Sequence, residues 1–215
     1  MSDGRPEITF YHAPQTRSVI VRWMLEELGV PYQVERIDLT SGEHRKPAYL
    51  TVNPMGKVPA LAHRGVVVTE AAAICAYLAD TFPQASLAPP IGDPRRGLHY
   101  KWLFFGPGCL EPAVTDRMLK REPGPRAQLG YGDLDTTLAV IAAAVEPGPY
   151  LLGQQFSTAD VVLGSGLRWG LFTKAIPERP ELTAYVQRLS ERPALQRTMA
   201  MDAELMGQPG PAGQT

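Results

Sequence analysis

The stretch GKVPALAHRGVVVTEAAAICAYL, residues 56–78, contains a Val-Pro step with the chemistry to bind an extended peptide. Pro59 has no amide hydrogen, and the bond before it adopts the cis form at a cost of only about 0.5–1 kcal/mol. A cis bond there would turn the N–H and C=O of Val58 toward a peptide that pairs with it as an added strand. The alternative is that Pro59 only begins an edge strand, a position where proline is common.

Glu70 follows eleven residues later and stands at the start of a predicted helix. The first amides of a helix are free and its dipole is positive there. The amide of Ala71 would bind a ligand carboxylate while Glu70 pairs with an ammonium. The alternative is that Thr69 is an N-cap and Glu70 only a favourable first-turn acid. The γ-glutamyl end of glutathione carries such a pair of charges on one carbon; Val58 would then hold its cysteinyl backbone, with Lys57 near its glycyl carboxylate.

The elements that position these residues follow from hydrophobic periodicity. EITFYH and YQVERID predict two strands, and VPALAH and VVVTE predict a hairpin of two more. VIVRWMLEELG predicts a helix that ends at Gly29, with Arg22 and Glu26 as an exposed pair on its surface. A short helix is expected in residues 39–53, and AAAICAYLADTF predicts another. The order β-α-β-α-β-β-α predicts a thioredoxin-like domain over residues 1–83.

The composition changes after this domain. Four prolines in PQASLAPPIGDPRRG predict a linker at residues 84–93, and helical periodicity alone follows over residues 94–206. The run GPG at residues 106–108 is expected to kink or break a long helix. FSTADVVLG predicts a helix that begins with a capping box of Ser157 and Asp160. Residues 207–215 are expected to form a flexible tail.

Composition excludes several classes of function. With a net charge of −1, the chain of 215 residues has no basic surplus for nucleic acid or an anionic membrane. Two cysteines without CxxC spacing exclude a disulfide framework, and four histidines without ligand spacing give no reason to expect a metal. The start MSDGRPEITFYH is unlike a signal peptide and no run of about 18 apolar residues occurs, so a cytoplasmic location is expected.

NPMGKVPAL followed by TEAAAICAYLAD resembles the N-terminal domain of the soluble glutathione S-transferases, and FSTADVVLG resembles a motif typical of their C-terminal core. YHAPQTRSVIVRWMLEELG is most similar to bacterial and fungal members with an SRS or TRS first loop. One departure is Glu70-Ala71, where the family usually has Glu-Ser or Gln-Ser. The missing hydroxyl removes a hydrogen bond worth about 0.5–1.5 kcal/mol.

The resemblance implies a homodimeric enzyme that binds glutathione, stabilises its thiolate and conjugates it to an apolar electrophile between the two domains. It implies no metal, nucleic acid or membrane partner. His44 would reach the glycyl end of glutathione, and Phe105 and Cys109 would line the electrophile pocket, with His12 overlooking the sulfur. Two alternatives are a glutathione-dependent peroxidase or dehalogenase, and a binding or stress protein with little or no turnover.

The group that contacts the sulfur is expected in the loop after the first strand. A free thiol has a pKa near 8.5, and lowering it by about two units takes roughly 2.7 kcal/mol. In the family a tyrosine, serine or cysteine supplies the hydrogen bond. Thr16 aligns with the first serine of SRS and is the preferred donor, with Ser18 second, although each is also a possible N-cap. Arg17 would add positive field, and Tyr11 is a further possible donor.

Overall fold

The computed structural model describes residues 6–122 and 124–207, which divide into two compact units. The chain through Leu78 forms the first unit together with residues from Pro193 onward, and Ala79–Arg192 form the second. The last helix therefore groups with the thioredoxin-like part, whereas the sequence-based division places it among residues 94–206. Of the predicted tail, residues 208–215 lie outside the described residues.

The helices are, in chain order, α1 (Ser18–Leu28), α2 (Pro47–Leu50), α3 (Ala71–Thr81), α4 (Arg95–Phe105), α5 (Glu111–Met118), α6 (Leu134–Val145), α7 (Thr158–Phe172), α8 (Pro180–Ser190) and α9 (Pro193–Met206). The strands are β1 (Ile8–His12), β2 (Gln33–Arg36), β3 (Ala60–His63) and β4 (Val66–Thr69). In the described residues no helix is long and apolar enough to cross a membrane.

The four strands form one mixed sheet in the order β2-β1-β3-β4. β1 pairs with β2 in parallel and with β3 in antiparallel orientation, and β3 continues into β4 as a hairpin. The side chains of Phe10 and Leu61, which are paired across β1 and β3, are fully buried. The predicted thioredoxin-like arrangement is confirmed.

Helix α1 ends as predicted, but one of its faces is more buried than expected. Gly29 closes the helix at φ 65°, and its N–H donates to the carbonyl of Leu25 at 3.0 Å. The expected exposed pair of Arg22 with Glu26 is wrong, because Arg22 is only 3% exposed. Glu26 instead accepts hydrogen bonds from the Tyr32 hydroxyl and from Nε of Arg197 on α9, each at 2.9 Å. Helix α9 packs against α1, which is why a charged residue on α1 is buried.

The second unit is helical, and its GPG run does not break the chain's helical course. Residues Gly106–Leu110 form a π-helical turn between α4 and α5. A π turn offers a register in which the missing amide of Pro107 is accommodated without ending the helix. A Cβ on Gly106 would lie 3.3 Å from Val162 on α7, so the turn also lets two helices approach closely.

The capping box predicted at the start of α7 is confirmed. The N–H of Ser157 donates to Oδ2 of Asp160 at 2.9 Å. The other carboxylate oxygen, Oδ1, accepts from the Leu151 N–H at 2.9 Å and from the Tyr185 hydroxyl at 2.8 Å. Asp160 is fully buried, and this burial raises its pKa. Asp160 therefore connects the loop at Leu151 and helix α8 to the start of α7, in addition to capping α7.

Candidate functional site

One end of the sheet brings together the segments that the sequence singles out. Tyr11 is paired with Ala60, and Ala60 with Thr69. The end of β1, the start of β3 and the end of β4 therefore lie side by side. Strand β2 leaves the sheet at the same end, where the Ile37 N–H donates to the His12 carbonyl at 2.8 Å. The loop after β1, the Val-Pro step and the start of α3 consequently share one rim of the first unit.

The peptide bond between Val58 and Pro59 is cis, as predicted. Val58 is half-buried, and the side chain of Lys57 is exposed. The carbonyl of Lys57 accepts hydrogen bonds from the Tyr49 hydroxyl at 2.6 Å and from Nδ2 of Asn53 at 2.8 Å. Both donors belong to buried residues, so two buried side chains fix the backbone that leads into the Val-Pro step.

His44 lies close to this segment through its backbone. Gly56 has φ 60°, and a Cβ built on it would lie 3.0 Å from the His44 carbonyl oxygen. Glycine is required there by both the left-handed conformation and the close approach. The His44 side chain is half-buried, and its Nε2 accepts from Nε of Arg45 at 3.2 Å. The structure thus brings His44 to the rim beside Lys57.

Glu70 is the N-cap of α3 and does not lie in its first turn. Its carbonyl accepts the Ile74 N–H at 2.9 Å, which is the first hydrogen bond of the helix. Thr69, the alternative N-cap, instead ends β4. Glu70 adopts φ 68° with an exposed side chain. A left-handed conformation costs a residue with a Cβ about 1–2 kcal/mol, and such strain is concentrated at functional positions. The backbone N–H groups of the first helical residues, beginning with Ala71, therefore have no acceptor within the helix.

The loop after β1 carries the two candidate hydroxyls, Thr16 and Ser18, which lie 2.7 Å apart. Ser18 is fully buried, and its Oγ lies 2.8 Å from both the Ala13 carbonyl and Nδ1 of His12. Thr16 is partly exposed, accepts the Ser18 N–H at 3.2 Å and lies 2.8 Å from the Ala13 carbonyl. Of the two residues, only Thr16 has exposed surface.

His12 does not lie on the wall of an open pocket, where the sequence suggests it, because its side chain is 0% exposed. As the last residue of β1, it points into the interior of the first unit, where its Nε2 lies 3.0 Å from Oδ1 of Asp202 on α9. Burial lowers the pKa of His12, and the contact with Asp202 only partly offsets it. The imidazole is therefore neutral at neutral pH.

Asp202 is the site residue that sequence reasoning missed. Its Oδ2 accepts the N–H of Gln15, a loop residue at φ 56°, at 3.0 Å. Burial opposes the ionisation of Asp202, but the contact with His12 and the hydrogen bond from Gln15 outweigh it and lower its pKa. Gln15 and Asp202 are 187 positions apart in the chain, and no local sequence pattern predicts that they pair.

Arg17 and Tyr11 are the other two residues of this region that the sequence assigns to the thiolate. Arg17 is exposed and immediately precedes the first residue of α1. Tyr11 is half-buried in β1 and packs edge-to-face against Tyr49, with ring centroids 5.9 Å apart. Burial, followed by the nearby charge of Glu35, raises the pKa of Tyr11, so its phenol stays protonated at neutral pH.

Phe105 and Cys109 belong to the second unit and are both half-buried. The Phe105 ring packs edge-to-face on Trp102, with centroids 5.3 Å apart. Burial raises the pKa of the Cys109 thiol, so it is protonated at neutral pH. Among residues 6–122 and 124–207, no group of three or more His, Cys, Asp and Glu side chains is arranged to hold a metal ion.

Comparisons with known proteins match this chain to one family in both of its units. The family model for the glutathione S-transferase N-terminal domain matches residues 6–80, and that for the C-terminal domain matches residues 131–193. The chain is 30% identical to glutathione S-transferase GstA of Escherichia coli O157:H7 over 195 residues, covering 89% of this chain and 97% of that protein.

Two solved structures are similar over nearly the whole chain. A glutathione transferase from Methylococcus capsulatus is 31% identical with a TM-score of 0.76, covering 92% of this chain and 99% of that one. A glutathione transferase homologue from Sulfitobacter, determined with bound glutathione, is 28% identical with a TM-score of 0.73, covering 90% and 97%.

Proposed function

The chain belongs to the glutathione S-transferase family and is a glutathione transferase, and we propose that the rim formed by its first loop, its Val-Pro step and the start of α3 binds the glutathione. The observation that carries the proposal is the strand register that aligns Tyr11, Ala60 and Thr69. The register supports the proposal because the Val58 backbone, the start of α3 with Glu70 and the loop hydroxyls all follow from one end of the sheet.

Each part of the tripeptide has a partner on this rim. The backbone of Val58 pairs with the cysteinyl residue, in the manner of an added strand. The Ala71 amide holds the γ-glutamyl carboxylate at the positive end of α3, while the exposed Glu70 carboxylate accepts from the ammonium. Lys57, with an exposed side chain, and His44 attract the glycyl carboxylate.

Thr16 is the proposed donor to the sulfur, because it is the partly exposed hydroxyl of the loop while Ser18 is fully buried. The positive end of α1 and the exposed charge of Arg17 add to the stabilisation of the thiolate. The thiolate then attacks the electrophile, and the sulfur electron pair forms the new S–C bond. In a substitution the leaving group departs with its bonding electron pair; in an addition the electron pair of the double bond moves to the neighbouring atom, which takes a proton from water.

The electrophile is proposed to be apolar, with Phe105 and Cys109 offering half-buried surface on the second unit. A raised pKa keeps the Cys109 thiol uncharged, which suits an apolar ligand. Two copies of the chain are proposed to associate as a homodimer, with the N-terminal domain of one against the C-terminal domain of the other.

Calorimetry with glutathione, followed by conjugation assays on a panel of apolar electrophiles, tests the proposal. We expect glutathione to bind and at least one electrophile to be conjugated at a rate that Glu70→Gln reduces. Binding without conjugation of any electrophile would favour the non-catalytic binding protein. Absence of binding would contradict the proposed rim itself.

A further inference from the structure

A continuous run of polar atoms leads from the surface at Thr16 to a buried carboxylate. Oγ1 of Thr16 lies 2.7 Å from Oγ of Ser18, which lies 2.8 Å from Nδ1 of His12. Nε2 of His12 lies 3.0 Å from Oδ1 of Asp202. His12 and Ser18 are 0% exposed and Asp202 is 3% exposed, so Thr16 is the one member that meets solvent.

We propose that this run is a proton relay, in which the hydroxyls of Thr16 and Ser18 carry the thiol proton of bound glutathione to Nδ1 of His12, and Asp202 stabilises the charged imidazole. The relay rests on the proposed function, in which Thr16 faces the sulfur. His12 and Asp202 do not touch the substrate and act through the two hydroxyls, so both are positioning residues.

The relay conserves protons at each step. The S–H bond breaks and a new O–H bond forms on Thr16, while the sulfur keeps the electron pair. The original hydroxyl proton of Thr16 passes to Oγ of Ser18, and that of Ser18 passes to Nδ1 of His12. Both hydroxyls then point outward, so Thr16 donates to the thiolate it has just helped to form. The proton returns from His12 to water at Thr16 after the sulfur has reacted.

The relay requires that Nδ1 of His12, the nitrogen nearer to Ser18, carry no hydrogen before the thiol proton arrives. A lone pair on Nε2 would be repelled by the Asp202 carboxylate 3.0 Å away, so Nε2 carries the hydrogen and Nδ1 is the free base. The contact is an electrostatic one, since Nε2 and Oδ1 are not aligned as a hydrogen bond. The other oxygen of Asp202 is held by the Gln15 N–H, which keeps the carboxylate in place.

Three charged groups face the imidazole from the elements packed around it: Asp202 on α9, Arg22 on α1 and Arg36 at the end of β2. Burial and the two arginines lower the pKa of His12, and Asp202 raises it. A neutral imidazole has a free nitrogen for the proton, but the lowered pKa opposes holding it, and the carboxylate is the one group among the three that favours the charged product.

Nitrogen NMR on the full-length protein labelled at histidine tests the relay directly. Glutathione is compared with S-methylglutathione, which offers the same peptide contacts without a transferable thiol proton, and the spectrum of His12→Gln identifies the His12 signals. With glutathione at neutral pH we expect the ring nitrogens of His12 to shift toward the imidazolium form. With S-methylglutathione they should stay those of the neutral Nε2–H tautomer. A neutral His12 in both complexes would overturn the relay.

Kinetics separate this role from a merely structural one. His12→Gln and Asp202→Asn should each raise the pKa of the bound thiol by about one unit, from about 6.5 to about 7.5, which leaves about threefold less thiolate and turnover at neutral pH. At pH values above the thiol pKa the variants should approach wild-type rates, with S-methylglutathione affinity unchanged within about twofold. Glu204→Gln is the matched control, because it removes one exposed carboxylate from the same helix.

Two results would count against the relay in different ways. An equal loss of rate at every pH would show that His12 and Asp202 only support the fold of the loop. If Thr16→Val leaves the pKa of the bound thiol unchanged, the placement of Thr16 at the sulfur is wrong and the relay falls with it. If glutathione does not bind at all, the proposed function itself fails.

Discussion

The hydroxyl oxygens of Thr16 and Ser18 lie 2.7 Å apart, yet only Thr16 reaches the surface. Two residues that look alike in sequence therefore have different environments. Ser18 has its hydrogen-bonding capacity engaged by the Ala13 backbone and by His12. The Thr16 hydroxyl also contacts the Ala13 carbonyl and Ser18, so donation to a ligand would require its proton to rotate away from these acceptors.

Thr16→Val should raise the pKa of the bound glutathione thiol by about one to two units, because a hydrogen bond to a charged group is worth roughly 1.5–3 kcal/mol. The thiolate's ultraviolet absorbance, followed against pH, measures the shift. Thr16→Ser keeps the hydroxyl and should behave as wild type. An unshifted pKa in Thr16→Val would move the donor to Tyr11 or to a backbone amide, and Tyr11→Phe would then decide between these.

Two substitutions at Glu70 should separate its role in binding from the strain of its backbone. Glu70→Gln replaces a charged hydrogen bond to the ammonium with a neutral one, and should weaken glutathione binding by about 1–2 kcal/mol. Glu70→Gly should also weaken binding, but raise the free energy of unfolding by about 0.5–1 kcal/mol, because glycine tolerates the left-handed backbone at φ 68°.

Calorimetry and denaturant unfolding measure the two effects of the Glu70 variants. Glu181→Gln, which removes an acid from the first turn of α8, is the control for a simple helix-end charge. Unchanged glutathione affinity in Glu70→Gln would show that Glu70 serves only the helix.

Asp160→Ala should destabilise the second unit strongly. It leaves the buried N–H groups of Leu151 and Ser157 and the Tyr185 hydroxyl without their acceptor. Unsatisfied buried groups cost about 1–3 kcal/mol each, so the free energy of unfolding should fall by at least about 3 kcal/mol. Activity per folded molecule should stay near wild type. A native melting temperature in this variant would contradict the role given to the carboxylate.

Stability should decline in mild acid because of His99 on α4. Its Nε2 lies 2.5 Å from the Thr158 hydroxyl, and burial together with the charge of Arg96 lowers its pKa from 6.5 to about 4. Between these values the unfolded chain binds the proton and the folded protein does not. The free energy of unfolding should therefore fall as the pH falls through this window, by up to about 1.4 kcal/mol per pH unit.

Denaturant unfolding at several pH values measures the slope that His99 contributes. His12 adds to it with the same sign, since its pKa is also lowered. His99→Gln should reduce the slope, whereas His63→Gln, at a buried histidine of the first unit, should not remove the contribution of His99. An identical slope in His99→Gln would assign the acid sensitivity to other groups.

The proposed homodimer should have twice the mass of the 23.5 kDa chain by light scattering at micromolar concentration. The net charge of −1 offers little repulsion to association. A monomeric mass across the concentrations used in activity assays would exclude it.

Much of the first unit could be predicted from sequence because its elements are local. Gly29 closes α1 in the left-handed conformation, and Arg64 and Gly65, both at positive φ, form the hairpin turn between β3 and β4. Gly29 and Gly65 favour positive φ by their residue type, whereas Arg64 takes it because the two-residue turn of a hairpin requires it. The cis bond of the Val-Pro step is predictable from residue type as well, because it depends on the proline itself.

What escaped prediction depends on packing between distant segments. The burial of Arg22 and the contacts of Asp202 follow from α9 lying against α1, and periodicity within one helix carries no information about that partner. The strained backbone of Glu70 arises where a strand runs directly into a helix without an intervening turn. At GPG, where the sequence predicts a kink or a break, the chain forms a π turn between two helices.

The grouping of α9 with the first unit has a consequence for synthesis on the ribosome. The segment that completes the loop of Thr16 follows the whole second unit along the chain, and the contact between Gln15 and Asp202 closes a span of 187 residues. Closing so long a span is entropically unfavourable and slow, so the first domain cannot mature before the second unit has been translated. A protease that removed α9 would leave every residue that we propose contacts glutathione in the chain, and would still take away the Asp202 carboxylate that accepts the Gln15 N–H.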